Sequence, residues 1–216
     1  MKKFIFKVFL WIFILLLLIA SAILGFGYLK YKDAINNLNI SEAILDIQSD
    51  KNYTNLDNIS KDYIDCVVAI EDHRFYTHKG FDILSIIRST YINIKEKSLI
   101  YGASTITQQV ARNIYFTQEK SPIRKVAEIF VALDLEKNYS KDEILELYLN
   151  IIYFGNGYYG IYEASHGYFD KKPLDLDFYE ASYLAGLPNA PSVYSENDEL
   201  AEERRLQVVT AVEKYR

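Results

Sequence analysis

The most constraining feature of the sequence is a long uncharged stretch near its N-terminus. Between Lys7 and Lys30 lie 22 residues without a charged side chain. As an α-helix this stretch would be about 33 Å long, enough to cross the hydrocarbon core of a bilayer. The tripeptide Ala20-Ser21-Ala22 imitates a signal-peptide cleavage site, so a removed signal peptide is the alternative. We favour an uncleaved anchor because the apolar run continues beyond Ala22.

The chain of 216 residues is long enough for this segment and for one domain with a buried hydrophobic core. We predict a cytoplasmic tip and transmembrane anchor over residues 1–30, a juxtamembrane spacer over 31–54 and the domain over 55–216. Apolar periodicity and capping residues predict a mainly α fold. The predicted helices lie near residues 61–72, 82–94, 104–113, 122–138, 141–150, 158–168, 177–186 and 198–215.

The charge distribution indicates an anionic ligand. Residues 88–125 hold seven Lys or Arg against two Asp or Glu, although the whole chain has a net charge of -5. Pyrophosphate or acidic lipid suits this block better than nucleic acid, because the chain is acidic overall and contains no recognisable nucleic-acid-binding module. The single cysteine, Cys66, excludes an intrachain disulfide, and we interpret it as a small core residue.

Two carboxylates fall in apolar helical settings. Glu71 continues the stripe of Ile64, Val67 and Val68 at i+7, where a partly desolvated carboxylate suits a general base or acid. The alternative interpretation is that Glu71 forms a structural ion pair with Arg74. Glu128 precedes the unbroken apolar run 129–133. Because Arg124 lies one helical turn before it, the alternative interpretation of Glu128 is an ion pair on the helix surface.

A stretch of small and polar residues, Gly102–Gln109, has two interpretations. A glycine turn followed by an N-cap would start a helix. Alternatively, the hydroxyls and amides of Ser104, Thr105, Gln108 and Gln109 would hold a phosphate or a sugar.

Five motifs resemble those of the peptidoglycan glycosyltransferases, the family of class A penicillin-binding proteins and monofunctional transglycosylases. They occur in the order and spacing of that family from about residue 55 onward. The first is Glu-Asp-His-Arg-Phe-Tyr-Thr-His-Lys-Gly-Phe-Asp, and the others are Gly102–Gln109, Arg124–Glu128, Lys141–Asn150 and Leu184–Ser192. The resemblance implies a lysozyme-like, two-lobed glycosyltransferase domain behind an N-terminal transmembrane helix. Since no transpeptidase motif follows, a monofunctional enzyme is expected.

The resemblance also implies roles for individual residues. Glu71 and Glu128 would be the catalytic acids, and a cationic, hydroxyl-rich site would bind the substrate. Arg112 stands where the family commonly has Lys and Lys120 where Arg is often seen, so charge is kept but geometry differs. A divalent cation, Mg²⁺ or Mn²⁺, could assist but is not required by the sequence. The expected substrate-binding residues are Arg88, Ser104, Thr105, Gln108, Gln109, Arg112, Lys120, Arg124 and Lys125.

The implied reaction is polymerisation of lipid II, with inversion at the donor anomeric carbon and release of undecaprenyl pyrophosphate. Expected partners are lipid II, the growing glycan strand, membrane lipids and other wall-synthesis proteins, with no nucleic acid. The implied location is the bacterial cytoplasmic membrane, crossed once, with the domain on its outer side. The alternatives are a lysozyme-like glycan hydrolase and a non-catalytic wall-synthesis scaffold.

Two further segments carry predictions. Ser85 to Tyr101 mixes apolar and basic residues, including Ile92, Ile94 and Leu99, and suits either a membrane surface or an ordinary packed lobe. The resemblance favours the membrane. Ser140 and Glu143 form a capping box, so Glu143 is interpreted as part of the scaffold.

Overall fold

A computed structural model of the chain describes residues 2–96, 102, 104–117 and 119–216. Within these residues the regular structure is helical, and strand pairing is limited to two isolated bridges. The mainly α class and all eight helices predicted from the sequence are therefore confirmed. The helices are α1 (Lys2–Asn37), α2 (Ile40–Gln48), α3 (Lys61–Glu71), α4 (Ile83–Glu96), α5 (Ile106–Tyr115), α6 (Pro122–Asn138), α7 (Lys141–Ile151), α8 (Gly160–Phe169), α9 (Phe178–Gly186), α10 (Pro191–Tyr194) and α11 (Asp198–Tyr215).

Capping residues explain where several helices begin. Ser121 caps α6 ahead of Pro122, and Ser140 with Glu143 forms the predicted capping box of α7. Hydrogen bonds from Ser140 hold the pKa of Glu143 below its usual value. Ser60 precedes α3 as predicted, but its hydroxyl donates to the Leu176 carbonyl oxygen instead of capping the helix.

The N-terminal helix α1 is long and apolar enough over Phe4–Asn37 to span a membrane. Its 36 residues correspond to about 54 Å of helix, against a hydrocarbon core of about 30 Å. The predicted boundary at residue 30 therefore lies inside an unbroken helix. Ala43 and Ile44 of α2 are buried in the core, so packing also begins well before residue 55.

The C-terminal part of α1 packs along α6. Tyr28 and Tyr31 contact the Phe130 ring, with centroid distances of 5.3 and 5.5 Å. The Tyr31 hydroxyl donates a hydrogen bond to the Asp134 carboxylate. The apolar run of α6 is thus covered on a second side by α1, which explains why it lacks the polar stripe of a surface helix.

The core of the domain forms where α3 packs against α9 and α11, with α5 beside α6 and α7. Its largest fully buried side chains include Tyr63, Phe75, Tyr148 and Phe154. Cys66 is completely buried as predicted, and desolvation raises the pKa of its thiol to about 12. This arrangement is consistent with the lysozyme-like fold that the resemblance implied.

Helix α7 serves as scaffold for the segment that precedes α3. The Glu146 carboxylate accepts hydrogen bonds from the Tyr53 hydroxyl and the Leu56 amide, both at 2.6 Å. The Asn150 side-chain oxygen accepts a hydrogen bond from the Thr54 amide at 2.8 Å. Glu146 and Asn150 of the Lys141–Asn150 motif therefore hold this segment in place.

The loop after α7 packs tightly at a glycine. Gly155 has a φ of +88°, and a β-carbon there would lie 2.6 Å from that of Ser195. Only glycine combines this backbone conformation with so close an approach. Pro191, near the end of the Leu184–Ser192 motif, and Ser195 after it thereby lie against the loop that follows α7.

Helix α4 projects an apolar surface into solvent. Ile83, Leu84, Ile87, Tyr91 and Ile94 are each more than half exposed, whereas Ser89 is buried. The alternative of an ordinary packed lobe is wrong for this part of the segment. Residues 97–101, with Leu99 among them, lie outside the described residues.

Candidate active site

Glu71 is the last residue of α3 and lies where three helices meet. Its Oε2 accepts a hydrogen bond of 2.7 Å from Gln109 Nε2 on α5. Its Oε1 lies 3.9 Å from Arg204 Nη2 on α11, and the two side chains are 13% and 14% exposed. The carboxylate is therefore held in place and partly desolvated, yet it remains open to a ligand.

The alternative pairing of Glu71 with Arg74 is wrong. Arg74 Nε lies 2.9 Å from Asp82 Oδ2, on the loop before α4. Burial would raise the pKa of Asp82, but hydrogen bonds from Ser85 and the Arg74 charge outweigh it and lower that pKa. Since Arg74 is engaged by Asp82, its charge does not neutralise Glu71.

The loop between α3 and α4 is tied to the start of α5. His78 Nε2 lies 2.9 Å from both carboxylate oxygens of Asp72. Asp72 Oδ2 also accepts a hydrogen bond from the Ile106 amide at 3.1 Å, while the Thr105 hydroxyl donates to the Gly80 carbonyl oxygen at 2.7 Å. The first two motifs therefore lie side by side.

Two of the predicted substrate-binding residues have structural contacts at this junction. Thr105 is the N-cap of α5, and Thr105 and Gln108 form a reciprocal capping box. They are 2% and 1% exposed. Their contact with a ligand stays a prediction, whereas Gln109 reaches Glu71 directly.

Glu128 on α6 is 1% exposed and is surrounded by cations. Its Oε1 lies 2.8 Å from Arg124 Nη1, and its Oε2 lies 3.0 Å from Lys125 Nζ. Lys125 also donates a hydrogen bond of 2.7 Å to the Ser104 hydroxyl. The Gly102–Gln109 and Arg124–Glu128 motifs thus meet at Lys125, and the alternative of a surface ion pair is wrong.

Positive charge exceeds negative charge around Glu128. Desolvation lowers the pKa of Lys125, and the nearby charges of Arg112 and Arg124 lower it further, although Glu128 acts in the opposite direction. Arg112 also donates to the Gln109 side-chain oxygen at 3.4 Å, which connects this region to Glu71. Three cations against one buried carboxylate favour an anionic ligand here.

The fit to a divalent cation is poor. Both oxygens of Glu128 are taken by Arg124 and Lys125. Among the residues that the structure describes, no group of three or more His, Cys, Asp or Glu is arranged to hold a metal ion. We therefore assign no chemistry to a bound metal.

The remaining predicted site residues are exposed. Arg88 lies on α4, and Lys120 lies between α5 and α6. Within the described residues, neither contacts the series of side chains that begins at Arg204 and Glu71, continues through Gln109 and Arg112, and ends at Lys125 and Ser104. Their role toward a ligand stays a prediction.

Arg204 is the site residue that the sequence analysis missed. It lies 133 positions after Glu71, so no local pattern connects the two. A signal did exist, because Ala201, Val208 and Val212 form the buried stripe of α11 and Arg204 falls on that stripe at i+3. An arginine on an otherwise apolar face marks a partner across the core.

Comparisons with known proteins place the chain among transglycosylases and penicillin-binding proteins by sequence similarity. The family model described as transglycosylase matches residues 37–213. The chain is 40% identical to penicillin-binding protein 1F of Bacillus subtilis (strain 168), an alignment of 88% of this chain and 29% of the relative. It is 48% identical to penicillin-binding protein 1A of Vibrio cholerae, over 63% of this chain and 17% of the relative. A Cupriavidus necator protein that bears the name transglycosylase is 42% identical, over 76% of this chain and 69% of the relative.

The chain thus spans less than a third of the length of these penicillin-binding proteins. The residues that the family model matches include α3, α5, α6 and Arg204 of α11, which carry the two carboxylates and the cations around them.

Proposed function

The chain belongs to the transglycosylase family of peptidoglycan glycosyltransferases, and on that premise we propose that it polymerises lipid II into glycan strands. The reaction would invert the donor anomeric carbon and release undecaprenyl pyrophosphate. One observation carries the proposal: a held, partly exposed carboxylate at Glu71 is linked through Gln109 and Arg112 to the cations around Glu128.

Glu71 acts as the general base. It takes the proton from the 4-hydroxyl of the acceptor sugar while that oxygen attacks C1 of the donor. The bond from C1 to the lipid pyrophosphate breaks, and its electron pair leaves with the phosphate oxygen. Attack opposite an α-linked leaving group gives a β-linkage. Gln109 supports this role because its amide fixes one carboxylate oxygen and leaves further lone pairs free.

The cations near Glu128 bind the pyrophosphate. Lys125, Arg124 and Arg112 place positive charge where negative charge develops on the leaving group. Glu128 orients Arg124 and Lys125 through contacts of 2.8 and 3.0 Å. Ser104, held by Lys125, adds a hydroxyl beside the same phosphates.

The decisive experiment uses the purified full chain and fluorescent lipid II. We expect the wild type and the exposed control variant Glu196→Gln to yield polymer on a gel, whereas Glu71→Gln yields none. Polymer formation by Glu71→Gln would remove Glu71 from the mechanism. Release of soluble fragments from isolated cell wall, without any lipid substrate, would favour a hydrolase instead.

We also propose that the domain lies on the outer face of the cytoplasmic membrane, with α4 dipping into the lipid. The apolar side chains of α4 are exposed next to the basic residues Arg88 and Lys95, a combination suited to the headgroup region. Lipid II keeps its tail in the bilayer, so a cleft that accepts it has to lie at the membrane surface.

The single tryptophan of the chain allows this placement to be measured. In a Trp11→Phe background we would compare Tyr91→Trp on α4 with Tyr159→Trp at the start of α8, two sites that are 66% and 60% exposed. Brominated lipids should quench the fluorescence of Tyr91→Trp but not that of Tyr159→Trp. Equal quenching at both sites, or none at position 91, would contradict the placement.

A further inference from the structure

Helix α1 lies close against α6 at a glycine. A β-carbon at Gly27 would lie 2.4 Å from Val126 Cγ1 and 3.1 Å from the Ile123 carbonyl oxygen. Two residues earlier, Gly25 has nothing within 4 Å of the equivalent position. Gly27 therefore allows the two helices to approach closely, because a side chain at this position would push α1 away from α6. Gly25 has no such role.

This contact lies on the side of α6 opposite the candidate active site. Val126, Phe130 and Asp134 follow one another at spacings of four residues and face α1. Glu128 is two residues from both Val126 and Phe130, which places it about 200° around the helix. One face of α6 thus meets α1 while the other carries the carboxylate and its cations.

Helix α1 connects the apolar N-terminal segment directly to the helix that carries Glu128. Helix α1 continues without a break from the apolar segment to Asn37. The contacts at Gly27, Tyr28 and Tyr31 fix its last turns to α6. No flexible linker separates the bilayer from the helix that holds Glu128.

We propose that Gly27 is a positioning residue, through which the anchor sets the orientation of the cleft toward substrate held in the bilayer. This inference rests on the proposed polymerisation of lipid II. A bulky side chain at position 27 would displace α1 rather than α6, because α6 is packed into the core and the apolar part of α1 is exposed. The chemistry of the cleft would remain, while its orientation over the membrane would be lost.

The test compares full-length Gly27→Leu with the matched variant Gly25→Leu, both in liposomes. For Gly27→Leu we expect the lipid II density at half-maximal rate to rise about tenfold, because a loose tether lowers the effective concentration of a correctly oriented cleft. Its maximal rate on a short-chain, water-soluble lipid II analogue should equal that of the wild type, and its thermal stability should fall only by the contribution of the contacts between α1 and α6. Gly25→Leu should resemble the wild type in every measurement.

The outcomes separate this inference from the proposed function. If neither the wild type nor Gly25→Leu polymerises lipid II, the proposed function fails. Suppose instead that the wild type and Gly25→Leu both polymerise lipid II. The positioning role is then refuted if Gly27→Leu needs the same lipid II density as Gly25→Leu in liposomes. It is also refuted if Gly27→Leu loses as much activity on the short-chain analogue as it does in liposomes.

A crosslink decides the matter even if Gly27→Leu does not fold. The double variant Tyr28→Cys/Phe130→Cys places one thiol on each helix at positions whose rings lie 5.3 Å apart, and it leaves Gly27 unchanged. Cys66 does not compete because it is buried with a raised thiol pKa. We expect mild oxidation to link the two helices within one chain and to leave polymerisation intact. Absence of the link, or a loss of activity that reduction reverses, would show that α1 does not stay docked and would overturn the proposal.

Discussion

Replacing Glu128 by glutamine should cost stability as well as activity. The carboxylate is 1% exposed and pairs with Arg124 at 2.8 Å and Lys125 at 3.0 Å. Removing one member of a buried ion pair typically costs about 3–5 kcal/mol. Lys125 is 37% exposed and can regain water, and the amide oxygen of glutamine still accepts a hydrogen bond from Arg124. We therefore expect the free energy of unfolding to fall by about 2–3 kcal/mol.

The assay is urea unfolding of the full chain in detergent, followed by far-UV circular dichroism. The matched control is the double variant Arg124→Met/Glu128→Met, in which no buried charge is left uncompensated at this pair. It should recover most of the lost stability but yield no polymer from lipid II, because it lacks two residues of the proposed pyrophosphate site. A loss below about 1 kcal/mol in Glu128→Gln would mean that the pair is solvated, as for surface ion pairs. Polymer formation by the double variant would refute the role of both residues.

Four further variants separate structural from chemical roles. Thr105→Ala should lower the free energy of unfolding by about 1–2 kcal/mol through loss of the α5 cap, whereas Ser104→Ala should leave stability unchanged and weaken donor binding, measured as a higher KM. Because burial lowers the pKa of Lys125, its charge is lost as pH rises, at a lower pH than for an ordinary lysine. The alkaline fall of kcat/KM should move to higher pH in Lys125→Arg, and an unchanged profile would assign that fall to another group. Arg204→Gln should reduce kcat about tenfold through misplacement of Glu71, with stability as the control measurement.

Local features of the fold could be predicted well from the sequence. Apolar periodicity and the caps at Ser121 and Ser140 located helices whose ends the structure moves by at most two residues. The paired environment of Glu128 was also predictable, because Arg124 precedes it by one helical turn. These signals work because both partners lie within a few residues of each other.

Long-range contacts could not be predicted in the same way. The sequence suggested Arg74 as a partner of Glu71, but Asp82 binds that arginine, and Arg204 takes the place beside Glu71. Thr105 could be a ligand contact or a helix cap, and only the neighbouring Gly80 carbonyl shows that its hydroxyl is engaged. The choice in each case depends on which distant element packs nearby, and that information is absent from a local pattern.

The placement of Arg204 has a consequence for how the molecule matures. Helix α3 emerges early in synthesis, but its buried face packs against α9 and α11, which begin more than 100 residues later in the chain. Because closing such a distant contact is slow, Tyr63 and Cys66 remain open to water until nearly the whole domain has been made. Glu71 acquires its charged neighbour only at that final step. A chain that has not yet reached α11 therefore lacks a contact that places Glu71, and the apolar face of α3 is exposed to aggregation until α9 and α11 are made.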